Sequence, residues 1–213
     1  MTLRLDLLAT LEAYDNTWDS EATDFPWNPR DERVTRRFIS FVSSTPGCFR
    51  RSTLEGHLTG SALVVNSSLT KVLLTHHKKL GMWLQLGGHA DGNHKMQEVA
   101  MTEAHEESGL TNLSFLNYER DIFGAPTPVP LPFDLDCHLI PKNAKDPEHY
   151  HYDVRYVITA ASEVLPIVSE ESHDVRWFAL DDAREVTQER SMHRQFDKID
   201  WLKSKLRISH PAG

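Results

Sequence analysis

The chain has 213 residues and a hydrophobic fraction of 39%, enough for one large domain or for one domain with an extension. Its formal net charge of −8 argues against a general nucleic-acid binder, which usually presents a basic face, but it permits a small anionic substrate beside a bound metal. Two scattered cysteines, no signal-peptide-like start and no apolar run of about 20 residues exclude a disulfide framework and a membrane span, so a cytoplasmic protein is expected.

Residues 1–55 are predicted to form a helical extension. Leucines between Leu3 and Leu11 indicate a first amphipathic helix, whereas the polar, proline-containing stretch Tyr14 to Arg30 is predicted to be a loop. Asp31 is a candidate cap for a second helix that reaches about Ser43. Apolar positions on the two helices permit either a homodimer or packing on a sheet.

Residues 56–213 are predicted to form a second domain, in which a β pattern begins near Gly60. Strands are expected where short apolar or alternating runs lie between turn residues: Ser61–Asn66, Lys71–Thr75, Met82–Leu86, Ser114–Phe123, Asp134–Ile140, Val154–Thr159 and Val175–Leu180. A helix with an apolar stripe is expected from Met96 to Ala104. Asp181 is expected to be a cap directly after the last strand, and the tail from Arg190 to Arg207 is expected to be helical. The proline-rich run 125–132 excludes a helix. Strands that alternate with helices predict a mixed sheet with helices on its faces.

Three carboxylates stand close together in the sequence at the end of the helix that follows the glycine turn. Glu103, Glu106 and Glu107 occupy positions i, i+3 and i+4, which project from one helix face. Their mutual repulsion favours a divalent cation between them, and oxygen ligands suit Mg²⁺ or Mn²⁺ rather than zinc. The pattern therefore predicts metal-assisted chemistry on a phosphate-containing substrate.

The segment from Gly88 to Leu110 resembles the Nudix box, G-x5-E-x7-R-E-U-x-E-E-x-G-U, where U is a bulky apolar residue. Matching positions are Gly88, Glu103, Ala104, Glu106, Glu107, Gly109 and Leu110. The resemblance covers roughly residues 59–187 and implies an α/β fold: the Nudix α-β-α sandwich with a mixed sheet. It also implies hydrolysis of a pyrophosphate linkage in a nucleoside diphosphate-linked substrate.

The resemblance further implies roles for individual residues. Glu103, Glu106 and Glu107 would bind Mg²⁺ or Mn²⁺, with the carbonyl of Gly87 as an additional ligand. A metal-activated water would attack phosphorus. The general base in such enzymes often comes from a loop before a strand like Val175–Phe178, where Glu171 and its neighbour Glu170 stand; Glu103 is the competing candidate.

Two positions depart from the motif. His94 stands where the first Glu belongs, and Thr102 stands where the Arg belongs. Loss of both an acid and a base leaves no lone charge, which is the less damaging way to lose an ion pair. Glu98 is not an obvious replacement because it faces about 140° away from Glu103, whereas Asp91 is a possible extra carboxylate. The hypothesis is that the metal site survives and that its support has been rebuilt.

A second constellation contains His149, His151 and Asp153, which would share one face of a strand. H-x-H-x-D is similar to the metallo-β-lactamase motif, but Val154 follows where that motif continues with His, so a zinc hydrolase is a poor alternative. His149, His151 and Arg155 are instead candidates for lining the substrate cleft or for closing a strand end. His89, beside the glycine turn, is a further candidate for substrate contact. The basic turn His76–Lys79 could meet phosphate, but an exposed hairpin tip is the default interpretation.

Three classes of function are therefore open. The three glutamates favour a Nudix pyrophosphohydrolase acting on a small nucleotide-type substrate. The departures at His94 and Thr102 allow a catalytically silent Nudix domain that binds a nucleotide-like ligand as a sensor. A Nudix-type isopentenyl diphosphate isomerase needs a cysteine beside its substrate, and neither Cys48 nor Cys137 has a recognisable context for that role.

Overall fold

The structure is a computed structural model that describes residues 2–18, 29–124, 127–144 and 146–206. Within these ranges the elements follow in the order α1 (Thr2–Trp18), α2 (Pro29–Ser44), β1 (Gly56–Asn66), β2 (Lys71–His77), β3 (Met82–Leu84), β4 (Leu86–His89), α3 (Met96–Ser108), β5 (Leu113–Phe115), α4 (Tyr118–Phe123), β6 (Asp134–Ile140), β7 (His149–Ala160), β8 (Ser172–Ala179), α5 (Leu180–Val186) and α6 (Arg190–Lys205). None of the helices in the described ranges has the length and apolar character that crossing a membrane requires.

The strands form one curled, mixed sheet in which β1 is central. β1 pairs in parallel with β7 along its whole length, from Gly56 opposite Tyr150 to Asn66 opposite Ala160. Its other partners, β4 and β2, both run antiparallel to it. β5 and β6 pair with β7, while β3 and β8 pair with β2, all antiparallel. The predicted mixed α/β architecture, a sheet with helices on its faces, is confirmed.

The helix α3 packs closely on β1, and this contact positions the candidate site. β1 is buried along its whole length. At Gly60 a Cβ atom would lie 2.9 Å from Cβ of Val99 and 3.0 Å from the carbonyl oxygen of Met96, so only glycine allows this approach. Gly109 ends the helix in a left-handed conformation, with φ 68°, and its N–H donates to the carbonyl of His105.

The predicted loop Tyr14 to Arg30 is wrong in its first part, because α1 continues to Trp18. Tyr14 and Trp18 share a helix face, and their exposed fractions are only 1% and 0%. The ring of Trp18 lies 5.6 Å from that of Trp201 on α6. Burial of two large aromatic side chains outweighs the polar character of the intervening residues. Residues 19–28, the middle of the predicted loop, lie outside the described residues.

The second helix begins at Pro29 rather than at Asp31 and ends at Ser44. Proline suits the first helical position, since its missing N–H would have no partner there and its φ is already helical. The apolar faces of α1 and α2 join the same hydrophobic core as the sheet, through Leu7, Leu11, Phe38 and Val42 among others. Of the two alternatives predicted for these apolar faces, the structure shows packing on the sheet. The homodimer and the boundary at residue 55 stay predictions.

The predicted extended segment from Ser114 to Phe123 is wrong beyond Phe115, because α4 follows from Tyr118. Tyr118 is fully buried, and its hydroxyl donates to the carbonyl of Pro132 at 2.6 Å. A left-handed Gly124, with φ 64°, then ends the helix. Tyr118 and Ile122, one helical turn apart, both pack on the core, so tertiary burial favours a short helix in this segment.

Smaller corrections concern element boundaries. The predicted strand Met82–Leu86 is two strands, β3 and β4, separated at Gln85. α5 begins at Leu180 with Ala179 as its N-cap, so Asp181 lies in the first turn and is not the cap. α6 ends at Lys205, and Arg207 lies outside the described residues. The described part of the proline-rich run, 127–132, forms neither helix nor strand, as predicted.

Candidate active site

The glycine turn at the end of β4 lies directly against the carboxylates of α3. The backbone N–H of Gly87 donates to Oε2 of Glu107 at 2.9 Å. A Cβ atom on Gly88 would overlap the carboxylate of Glu103, and one on Gly87 would overlap Ser61 on β1. Close packing therefore favours glycine at both positions, although at Gly88 the only contact is the movable end of the Glu103 side chain, and the turn lies against both Glu103 and Glu107.

Burial and mutual repulsion perturb these carboxylates. Burial raises the pKa of Glu103 to about 7, and repulsion by Glu106 and then by Glu171 acts in the same direction. Burial likewise raises the pKa of Glu107 to about 7, against the opposing effect of the Gly87 hydrogen bond. A divalent cation would favour the ionised forms and relieve the repulsion. The oxygen donor set fits a hard cation such as Mg²⁺.

The loop before β8 brings Glu171 to the same site. Its negative charge contributes to the raised pKa of both Glu103 and Glu107. The turn between β2 and β3 holds this loop, because Lys78 donates its backbone N–H to the carbonyl of Glu171 at 3.1 Å and its Nζ to the carbonyl of Glu170 at 2.6 Å. Lys78 of the basic turn thus contacts the loop that carries the candidate base.

Arg51 is a residue of this site that the sequence did not indicate. Its Nε and Nη2 donate to the two carboxylate oxygens of Asp91 at 2.7 and 2.6 Å. The positive charge of Arg51 also lowers the pKa of Glu103, opposing the effect of burial. Asp91 is therefore held by Arg51, and its negative charge contributes to the raised pKa of Glu103, so its role as an extra carboxylate stays a prediction. Arg51 lies before β1, far outside the motif, so no spacing rule indicates it.

The two residues that depart from the motif, His94 and Thr102, make no contact with the carboxylates of the site in the contacts described. Thr102 is exposed on α3. The ring of His94 packs edge-on against Phe49, with 6.5 Å between ring centres. Glu98 is exposed and pairs with Lys95 at 2.7 Å, which agrees with its exclusion as a replacement carboxylate. The motif has an arginine at position 102, where this chain has Thr102. Arg51 places a positive charge near Glu103 instead, which supports the hypothesis that other residues now support the metal site.

Four imidazoles, here called the histidine group, lie together on the sheet beside the glycine turn: His57, His89, His149 and His151. The ring centre of His57 lies 5.0, 4.9 and 4.8 Å from those of His89, His149 and His151. Burial lowers the pKa of His57 to about 4, and it also lowers the pKa of His89 and His151. The predicted substrate residues His89, His149 and His151 are thus brought together, while His57 was missed.

Arg155, predicted to line the cleft, is instead buried, with an exposed fraction of 4%. Its Nε donates to Asp153 at 2.7 Å, and its guanidinium also pairs with Asp134 and Asp136 at 3.4 and 3.5 Å. Asp153 in turn accepts hydrogen bonds from Thr59, Ser61 and Gln85. Burial and three carboxylate partners favour a structural role for Arg155 over the predicted substrate contact.

Comparisons with known proteins agree with this arrangement. The family described as NUDIX domain matches residues 57–199, which is nearly all of the sheet together with α3 and the first part of α6. No curated protein matches the chain. The match contains both the glycine turn and the three glutamates of α3.

Solved structures have the same fold. A NUDIX-family hydrolase from Clostridium perfringens is 27% identical, covers 68% of this chain and 97% of its own, and has a TM-score of 0.52. An Ap4A hydrolase from C. elegans is 14% identical, covers 69% and 97%, and has a TM-score of 0.52. The dihydroneopterin triphosphate pyrophosphohydrolase of E. coli is 12% identical, covers 66% and 92%, and has a TM-score of 0.50. The chain belongs to the Nudix family.

Proposed function

We propose that the chain is an Mg²⁺- or Mn²⁺-dependent hydrolase that cleaves the pyrophosphate linkage of a nucleoside diphosphate-linked substrate by attack of water at phosphorus. The observation that supports this most is the position of two carboxylates against the glycine turn: Glu107 is buried and accepts from Gly87, and the half-buried Glu103 lies against Gly88. Glu103, Glu106 and Glu107 would hold the cation together with the carbonyl of Gly87. When bound, the cation offsets charge on the diphosphate oxygens and lowers the pKa of a bound water.

The chain's own residues would perform the proton transfer. Glu171 is exposed, and its charge acts on both Glu103 and Glu107, so it is the proposed acceptor of the proton from the attacking water. Glu103 is the alternative acceptor, because its carboxylate lies against the glycine turn at the same site. Arg51 would orient the turn through Asp91. His89, directly after the turn, is the proposed substrate contact.

The substrate class follows from both the chemistry and the relatives. Two of the similar structures are named for hydrolysis of Ap4A and of a dihydroneopterin triphosphate, which are both small phosphoanhydrides. An acidic chain with a net charge of −8 is a poor match for polymeric nucleic acid, so a small molecule is the proposed partner. Cys48 and Cys137 are not joined in a disulfide, which is compatible with the proposed cytoplasmic location.

A substrate panel tests the proposal. Diadenosine polyphosphates, ADP-ribose, nucleotide sugars, nucleoside triphosphates and capped RNA are incubated with the wild-type protein and Mg²⁺ or Mn²⁺, and the products are separated chromatographically. We expect at least one small phosphoanhydride to be cleaved, with no turnover after chelation of the metal. Binding of a nucleotide without turnover of any compound would overturn the proposal in favour of a sensor.

Replacement of Gly88 by alanine is expected to reduce this activity by about a hundredfold while leaving the fold intact. The added Cβ would overlap the Glu103 carboxylate, which is the mobile end of a side chain and can move aside. A displacement of about 1 Å at a reacting centre can cost that much in rate. Initial rates and thermal unfolding are measured on the same preparation. Unchanged rates in Gly88→Ala would show that the placement of Glu103 does not matter.

A further inference from the structure

The strand register gathers imidazoles from distant parts of the chain at one place in the sheet. His57 on β1 lies opposite His151 on β7, and His138 on β6 lies opposite His151 from the other side. His149 stands two residues before His151 and therefore shares its face. His89 on β4 pairs opposite Thr59, the residue two after His57 on the same face of β1. None of these positions belongs to the Nudix motif except His89, which lies just after its first glycine.

The buried His57 has no partner that explains its position. Its exposed fraction is 4%, and neither Nδ1 nor Nε2 has a hydrogen-bond partner among the described residues. Burying both ring nitrogens without a partner is costly, because they lose the hydrogen bonds that water would make. A ligand that accepts a nitrogen lone pair would offset this cost.

The neighbouring ring of His149 is oriented so that one of its nitrogens can offer a lone pair to a ligand. Its Nδ1 lies 2.8 Å from the carbonyl oxygen of Pro147, which can only accept, so Nδ1 carries the proton and Nε2 presents its lone pair. A ligating histidine typically has its other nitrogen bonded to a carbonyl or carboxylate in this way. His138 shows a similar arrangement, with Nδ1 3.1 Å from Asp136.

The distances match a tetrahedral nitrogen site. Nε2 of His149 lies 3.3 Å from Nε2 of His151. Two nitrogen ligands at 2.0–2.1 Å from a tetrahedral ion are about 3.4 Å apart. One ligand atom from each of His57, His149 and His151 lies within 4.8 Å of the others. A hydrogen bond from His151 to His149 would account for that pair, but it leaves His57 unexplained.

We infer that His57, His149 and His151 form a binding site for one Zn²⁺ ion, separate from the carboxylates of α3. Imidazole nitrogens suit zinc, whereas Mg²⁺ prefers oxygen, so the two sites differ in their metal. Three protein ligands leave a fourth position open for water, for His89 or for a phosphate oxygen of a bound substrate. The inference does not depend on the proposed hydrolysis, because it concerns binding of the metal alone.

The test is titration of the chelator-treated full-length protein with Zn²⁺ by isothermal titration calorimetry, in a buffer containing excess Mg²⁺. We expect about one equivalent to bind tightly to the wild-type protein and the affinity to fall at least about a hundredfold in His57→Gln and in His149→Gln. Co²⁺ substitution should give a tetrahedral visible spectrum that is lost in both variants. His149 is only half-buried, so its variant decides the matter if His57→Gln fails to fold.

Two matched variants separate this site from others. His173→Gln removes an exposed histidine on β8, whose ring lies 5.4 Å from that of His76 on β2. Neither residue is a proposed zinc ligand, so this variant should bind Zn²⁺ like the wild type. Glu107→Gln should also retain Zn²⁺ binding, because it alters only the carboxylate site. Absence of tight binding in the wild type, or equal binding in His149→Gln, would overturn the inference, as would loss of binding in either control.

Discussion

Replacement of Glu107 by glutamine is expected to lower kcat for metal-dependent hydrolysis by about a thousandfold. Stabilisation of transition-state charge by a metal ion is worth several kcal/mol, and each 1.4 kcal/mol is a factor of ten in rate. The neutral amide is a far weaker ligand for a hard cation than a carboxylate. Its carbonyl oxygen can still accept the hydrogen bond that Gly87 donates, so the turn should keep its conformation.

The matched control for this change is Glu98→Gln on the same helix. Glu98 is exposed and pairs with Lys95 near the start of α3, so its neutralisation should leave the rate within about a factor of two of the wild type. Steady-state kinetics of both variants on whichever compound the substrate panel identifies gives the comparison. A Glu107→Gln variant as active as Glu98→Gln would show that the carboxylate of Glu107 does not take part in the reaction.

Replacement of Asp134 by alanine is expected to destabilise the protein by about 3–5 kcal/mol, because it leaves buried cations without their partner. Asp134 is fully buried and accepts from Arg194 at 2.9 and 2.7 Å and from Lys198 at 3.0 Å. Lys198 is itself fully buried, and Arg155 pairs with the same carboxylate at 3.4 Å. Urea denaturation followed by circular dichroism measures the free energy of unfolding.

The exposed ion pair of Arg184 supplies the control. Asp197 pairs with it at 2.8 Å but is largely exposed, so Asp197→Ala should cost less than about 1 kcal/mol. Equal effects of Asp134→Ala and Asp197→Ala would contradict the structural role of the buried network.

The Asp134 network also predicts the direction of acid sensitivity. Burial alone would raise the pKa of Asp134, but the charges of Arg194 and Lys198 outweigh burial and lower the pKa to about 2. A carboxyl group whose pKa is lowered by folding contributes stability above its unfolded pKa, near 4, and loses that contribution as the pH falls toward 2. Unfolding of the wild type should therefore become easier in this pH window.

Much of the candidate site could be predicted from the sequence because it is local. Gly87, Gly88, Glu103 and Glu107 lie within one turn and one helix, and helical periodicity fixes which carboxylates share a face. His149 and His151 could be placed together for the same reason, since alternate residues of a strand point the same way. Local spacing was sufficient wherever the partners were close in the chain.

The remaining features depend on contacts between distant segments. Nothing near His57 in the sequence indicates that it faces His151, because that contact follows from the parallel register of β1 and β7. Arg51 reaches Asp91 from outside the motif for a similar reason. Tyr118 and Trp18 were assigned to the wrong elements, since the tertiary burial of their rings outweighs the local signal that propensity and polarity give.

Attack of water at the phosphorus of a phosphoanhydride, directed by the carboxylates of α3, is tested most directly by hydrolysis in ¹⁸O-labelled water, with mass spectrometry of both products. We expect the wild-type protein with Mg²⁺ to place one ¹⁸O atom on a phosphate group of one product. Glu107→Gln should release almost no labelled product. Cleavage without label at phosphorus, or equal labelling by Glu107→Gln, would contradict this mechanism.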